Sequence, residues 1–313
     1  MQNLLVNAAI AGAIFFVVPL GLRIQLMLGC VAGGKRLQAP LFRLLPFGML
    51  AAAISFIPGW TTHLAWGWFA VSLLIAVNGF VLICSHVPRS QVSISIGASN
   101  IFLLVGALFF ALSRNNISVL EFESEIVLLT AAHFHFAGYA LMLLTGLIAN
   151  RAEFSAISRA RSRFVVTSVV IGIPLVAIGI TWSPVIEIIG AAALVIGACG
   201  LAAMQLKLSS HDSYASIRGG LITSAVSLII AMMLAAIYAI GEVCNQPWLS
   251  IPVMAFTHGI LNSVGFALVG LASWNQWFHE AELMAQSTEG LERSGQITPS
   301  DEPQCYGIEG ATE

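Results

Sequence analysis

Long apolar runs, separated by short basic or Gly/Pro-bearing connections, set the pattern of this chain. Nine runs reach or approach the roughly 20 mostly apolar residues that a helix needs to cross a bilayer. They lie at about 4–22, 41–58, 62–84, 92–112, 125–149, 164–181, 184–206, 219–240 and 251–277. The pattern predicts an all-α polytopic membrane bundle of about nine transmembrane helices. The first run resembles a signal peptide in position, but Met1-Gln2-Asn3 carries no positive charge and no small-residue cleavage site follows. It is expected to remain as the first helix.

The polar connections then assign a direction. Arg23, Lys35, Arg36, Arg43, Arg89, Arg151, Arg159, Arg161, Arg163, Lys207, Arg218 and Arg293 all fall in or beside alternate connections and the tail. They make up 12 of the 13 basic residues, and Arg114 alone lies on the other side. The positive-inside rule therefore predicts an external N-terminus and a cytoplasmic C-terminus. Trp60, Trp66, Trp68, Trp182 and Trp248 fall near the predicted outer helix ends, and Trp274 and Trp277 near the inner end of the last. That is the distribution of interfacial anchors. Two domains are expected: a helix bundle over residues 1–277 and an acidic cytoplasmic tail, disordered by composition, over 278–313. The connection Asn150–Arg163 is basic and could lie as a short helix against anionic lipid.

Composition agrees with a membrane location. Of 313 residues, 58% are hydrophobic and 9% charged, with a mean hydropathy of +0.90. A soluble domain is about one quarter charged, so this chain must turn most of its surface to lipid. A net charge of −2 offers nothing to nucleic acid. Cys30, Cys84, Cys199, Cys244 and Cys305 are scattered without ligand spacing and read as small apolar residues. Gly29–Lys35 fits the first seven positions of a phosphate-binding loop, but Arg36 stands where the Mg²⁺-binding hydroxyl belongs. Asn116-Ile117-Ser118 is a glycosylation sequon in a predicted outer loop. The chain carries no H-E-x-x-H, no G-x-S-x-G and no evident nucleophile–base set, so enzymatic function is not the favoured class.

What remains is a small group of ionisable residues inside the apolar runs. His133 and His135 lie in Thr130–Tyr139, in the fifth run. At 1.5 Å per residue His133 is about 12 Å beyond Glu125, and His258 in the ninth run is about 15 Å beyond Trp248. Both lie in the outer half of the membrane, on the side that also holds His63, Glu187 and Glu242, whereas His86, His211 and His279 fall on the cytoplasmic side. Two residues on a helix turn by about 200°, so His133 and His135 cannot address one ligand from a regular helix. The His135 face, with Gly138, Tyr139 and Met142, suits the bundle interior, and His135 is expected to be the partner of His258. Asn262 lies one turn from His258 on the same face.

Ala132–Tyr139, with its histidine pair followed by Ala-Gly, and Thr257–Phe266, with His-Gly and an asparagine four residues on, resemble the YndJ-like family of bacterial membrane proteins. The likeness covers residues 1 to about 277. It implies a multi-pass protein of the bacterial cell membrane and, by the family's usual label, a transporter. Some family members carry a long soluble C-terminal domain, where this sequence has a short acidic tail. The stretch around His133 and His135 is also similar to the haem-ligating helix of haem–copper oxidase subunit I, which implies axial haem ligation by both. The other ligand motifs of that family do not match. The first expectation is thus a carrier of an unidentified small molecule or ion, with His133, His135, His258, Asn262, Tyr139 and Glu187 lining an outward-facing polar site. The second is a redox or sensor protein holding haem on His133 and His135, or a transition metal on His135 and His258. A purely structural partner of a complex is the third.

Overall fold

The computed structural model describes residues 2–28, 35–85, 90–119, 121–153, 157–210, 214–246 and 248–293. Among these the regular structure is entirely helical. Eight helices are long and apolar enough to cross a membrane: α1 (Asn3–Met27), α3 (Trp60–Ser85), α4 (Gln91–Arg114), α5 (Ser124–Arg151), α6 (Arg159–Trp182), α7 (Pro184–Ser209), α8 (Ala215–Glu242) and α9 (Ile251–Met284). Between the first two of these runs α2 (Lys35–Ser55), whose apolar part is the shorter Leu41–Ser55. The nine expected segments are therefore all helical. α5 continues to Glu153 and α6 begins at Arg159, so the basic connection forms no separate helix among its described residues. The last helix runs on to Arg293, well past the expected end at 277. Residues 294–313, the phosphate-loop-like stretch 29–34, His86, Arg89 and His211 lie outside the described residues.

α5 is the central helix. It contacts α1, α4, α6, α7 and α9, and Tyr139 through Leu144 are buried without a break. By contrast α6 and α7 form a hairpin at the edge of the bundle, with Ile171, Ile178, Ile180, Val185, Ile188 and Ile189 turned outward. Glycines let these two helices touch: a Cβ at Gly172, Gly179 or Gly190 would meet backbone of the facing helix. Close backbone approach of this kind takes the place of a hydrophobic driving force inside lipid.

Besides the 3₁₀ turn that opens α3, three of the described helices depart from α geometry. π-helical turns occupy Ala13–Val17 in α1, Phe134–Leu141 in α5 and Leu261–Leu268 in α9. The three stretches touch one another. Of the segments that precede them, Gln2–Gly12 packs against both Ser124–His133 and Ile251–Ile260. α1, α5 and α9 thus run parallel, with their first thirds side by side above a shared π-helical level.

Each π stretch has a local cause. Pro19 cannot donate to the carbonyl of Phe15, four residues back and inside the α1 stretch, and its ring crowds that carbonyl. In α5, His135 Nδ1 takes the Ala131 carbonyl at 2.8 Å. In α9, Asn262 Nδ2 donates to the His258 carbonyl at 3.1 Å. Both are the carbonyls that the same residue's backbone N–H would use in an α-helix, and losing them to a side chain shifts the ladder toward longer bonds.

Candidate functional site

The two histidines of α5 point into different surroundings, as the 200° turn requires. His135 is fully buried. Its Nδ1 faces the Ala131 carbonyl at 2.8 Å and must therefore carry the proton, which leaves Nε2 as an acceptor. Nε2 receives the indole N–H of Trp68 from α3 at 3.1 Å. Both ring nitrogens are spent inside the protein, and Gly106 of α4 lies directly against Nδ1.

His133 is exposed, and its ring centre lies 6.5 Å from that of His258, with the planes inclined at 31°. The expected partnership of His258 with His135 is thus corrected: α9 meets the other face of α5. The reason is burial by α3 and α4, which claim the small-residue face of His135 for Trp68 and Gly106. His258 Nδ1 faces the Ala231 carbonyl of α8 at 2.9 Å. It is therefore the protonated nitrogen, and Nε2 accepts from Asn262 Nδ2 at 2.9 Å. His133 Nδ1 faces its own Leu129 carbonyl at 2.8 Å. Its Nε2 consequently presents an unused lone pair beside the His258–Asn262 pair.

The other expected residues lie elsewhere. Tyr139 is buried and donates to the Val18 carbonyl of α1 at 3.2 Å. Gln25 approaches its hydroxyl at 3.5 Å. Gln25 also exchanges two amide hydrogen bonds with Asn100 of α4, at 3.0 and 2.9 Å. This is a buried interior network. Glu187 packs against Gly179 of α6 and interacts electrostatically with Tyr238 and Glu242 of α8. His63 is exposed, in the 3₁₀ turn that opens α3.

Neither expected cofactor fits this arrangement. A haem ligand needs a free ring nitrogen and an open face, and His135 offers neither. For the metal on His135 and His258, the two rings have different neighbours, and among the described residues no group of three or more His, Cys, Asp or Glu side chains could hold an ion.

Reading the sequence alone misses two residues here. Its position near an outer helix end puts Trp68 with the interfacial anchors, yet it is 0% exposed, against 77% for Trp60. Its depth was the available signal: eight residues past Trp60 is about 12 Å into the bundle. Asn7 is the second. It lies on the α1 face of Ile10 and Ile14, which are buried, and its Oδ1 is buried without a hydrogen-bond partner. A polar residue at that step of an apolar stripe could have marked it.

The described helices thus define a multi-pass membrane protein whose central helix carries two histidines in different surroundings. The YndJ-like protein family matches residues 8–266, and the chain belongs to that family. It is also similar to the "Uncharacterized membrane protein YndJ" of Bacillus subtilis (strain 168), at 28% identity over 176 residues. The aligned stretch is 56% of this chain and 31% of that relative, so the chain spans about a third of the relative's length. No solved structure matches.

Proposed function

We propose that this protein is a transporter whose substrate site lies among His133, His258 and Asn262, at the rim formed by the first thirds of α1, α5 and α9, with that rim facing outward. The observation that carries the reading is the unused His133 Nε2, exposed and opposite the fixed His258–Asn262 pair. An ionisable side chain in a spanning segment is costly unless it pairs, or meets water or a ligand. His135 avoids that cost through Trp68, whereas one nitrogen of His133 is left for something outside the protein. The π-helical level directly below supports the same reading, because such turns in membrane helices collect where a helix must bend or bind. The basic connections on the opposite side support the outward orientation.

The test is access. In a chain whose native cysteines are replaced by serine, His133→Cys should react with a charged, membrane-impermeant thiol reagent added outside intact cells. Reaction is expected within minutes, at a rate at least ten times that of a cysteine placed at Val264, which faces outward on α9. Equal inertness at the two positions would place His133 against lipid and remove the transporter reading.

A further inference from the structure

A metal-binding imidazole ligates through one nitrogen and donates its other N–H to a carbonyl or carboxylate, which fixes the tautomer and the ring. His133 and His258 both meet that condition. Nδ1 of His133 faces the Leu129 carbonyl at 2.8 Å, and Nδ1 of His258 faces the Ala231 carbonyl at 2.9 Å. Each ring can therefore offer a ligand only Nε2. His135 has the same Nδ1 contact, but Trp68 fills its Nε2. His258 Nε2 is held by Asn262 Nδ2 at 2.9 Å, and that Nδ2 also reaches the His258 carbonyl at 3.1 Å. The amide thus keeps an acceptor when it gives up the ring.

Spacing and charge then select the ion. Metal–nitrogen bonds of about 2 Å, with roughly 1 Å from each ring centre to its nitrogen, put the centres about 6 Å apart across a straight bridge and about 5 Å across a tetrahedral one. The observed 6.5 Å suits the straight bridge without movement of either helix. Among the described residues no third His, Cys, Asp or Glu joins the pair to form a metal-holding group. Glu125 stands eight residues before His133 on α5, about 12 Å along the helix. Zinc, which takes three protein ligands even in open sites, is not served. Desolvation grows with the square of the charge, so a divalent ion would cost about four times as much between two neutral rings. We propose that His133 and His258 together bind a monovalent, closed-shell soft cation, Cu⁺ or its analogue Ag⁺, with Asn262 covering His258 Nε2 until the ion displaces it. Imidazole is an accepted donor for copper, and two neutral ligands leave the ion exchangeable, as a carrier requires. The inference rests on the transporter reading and names the class of its cargo.

The probe is silver nitrate in chloride-free buffer, titrated into the full chain in lipid nanodiscs with all five cysteines replaced by serine. One Ag⁺ per chain should bind, and X-ray absorption at the silver edge should show two nitrogen neighbours. His133→Ala and His258→Ala should each weaken binding at least tenfold, and His63→Ala should not. Zinc sulfate should bind at least a hundredfold more weakly than silver. Asn262→Leu, which frees His258 Nε2, should tighten silver binding several-fold. Sulfur neighbours in place of nitrogen, undiminished binding in either folded histidine variant, zinc bound as tightly as silver, or a folded Asn262→Leu that binds no tighter would each overturn the proposal. If His258→Ala does not fold, His133→Ala decides, because that ring is bonded only to its own helix. Should His133→Cys be labelled from outside while silver leaves the two histidines untouched, the cation class falls and the transporter reading stands. Should the cysteine be inert, the transporter reading falls, and with it the claim that the ion is cargo.

Discussion

At the scale of single residues, the division of labour within Ala132–Tyr139 comes down to what each imidazole nitrogen faces. Trp68 satisfies His135 Nε2 at 3.1 Å in a fully buried setting. Trp68→Phe removes that donor and leaves the nitrogen unpaired in the interior, which costs about 1–3 kcal/mol. The smaller ring adds a packing loss of the same sign. The melting temperature in detergent should drop by several degrees, whereas His133→Ala should leave it nearly unchanged because His133 is exposed and bonded only to its own helix. A larger loss from His133→Ala than from Trp68→Phe would reverse the two assignments. Much of this was legible in the sequence: the opposed directions of His133 and His135 follow from helical rotation alone, and His258 was placed at their depth. The choice between the two as partner of His258 was not. It depends on which neighbouring helix covers which face, and α3 and α4 could be placed around α5 only once the bundle was seen.

The three π-helical stretches pose the same question at the scale of elements. A turn that lengthens its bonds frees carbonyls, and inside lipid these need another donor. A hydroxyl from a neighbouring helix meets a carbonyl inside or directly after each stretch: the Tyr139 hydroxyl on Val18 at 3.2 Å, the Ser95 hydroxyl on Met142 at 2.7 Å and the Ser224 hydroxyl on Phe266 at 2.9 Å. Hydroxyl bonds between membrane helices contribute on average about 0.6 kcal/mol. Ser95→Ala and Ser224→Ala should each destabilise by about that much or somewhat more, and roughly additively, because they act on different helix pairs. Urea or mixed-micelle unfolding of the single and double variants measures this. A stabilising effect from either would mean that its carbonyl was already satisfied within its own helix. The apolar pattern carries no signal of the π stretches. Pro19 was visible as a local break, but the other two arise from His135 and Asn262 side chains competing for carbonyls, a choice that neither hydropathy nor propensity reports. The span boundaries follow apolar run length, and the helices outrun it where polar or basic turns extend them, as at Lys35, Arg159 and the continuation of α9 to Arg293.

For the whole molecule, the bias of the basic residues implies a direction in which the bundle faces, and the transporter reading depends on that direction. Two native cysteines can report it. Cys84 at the end of α3 and Cys244 at the end of α8 are both exposed. α3 runs in the same sense as α1, α5 and α9, while α8 runs in the opposite sense, so the two thiols sit at opposite rims. Arg89 follows Cys84 in a basic connection, whereas the connection after Cys244 contains no Lys or Arg before α9. The positive-inside rule therefore predicts that Cys244 lies outside together with His133. With Cys30, Cys199 and Cys305 replaced by serine, an impermeant maleimide added to intact cells should modify Cys244, and should reach Cys84 only after the membrane is permeabilised. The reverse order would turn the His133–His258 rim toward the cytoplasm. The site would then load from inside, and outward labelling of His133→Cys would have to come through the bundle rather than from its open end.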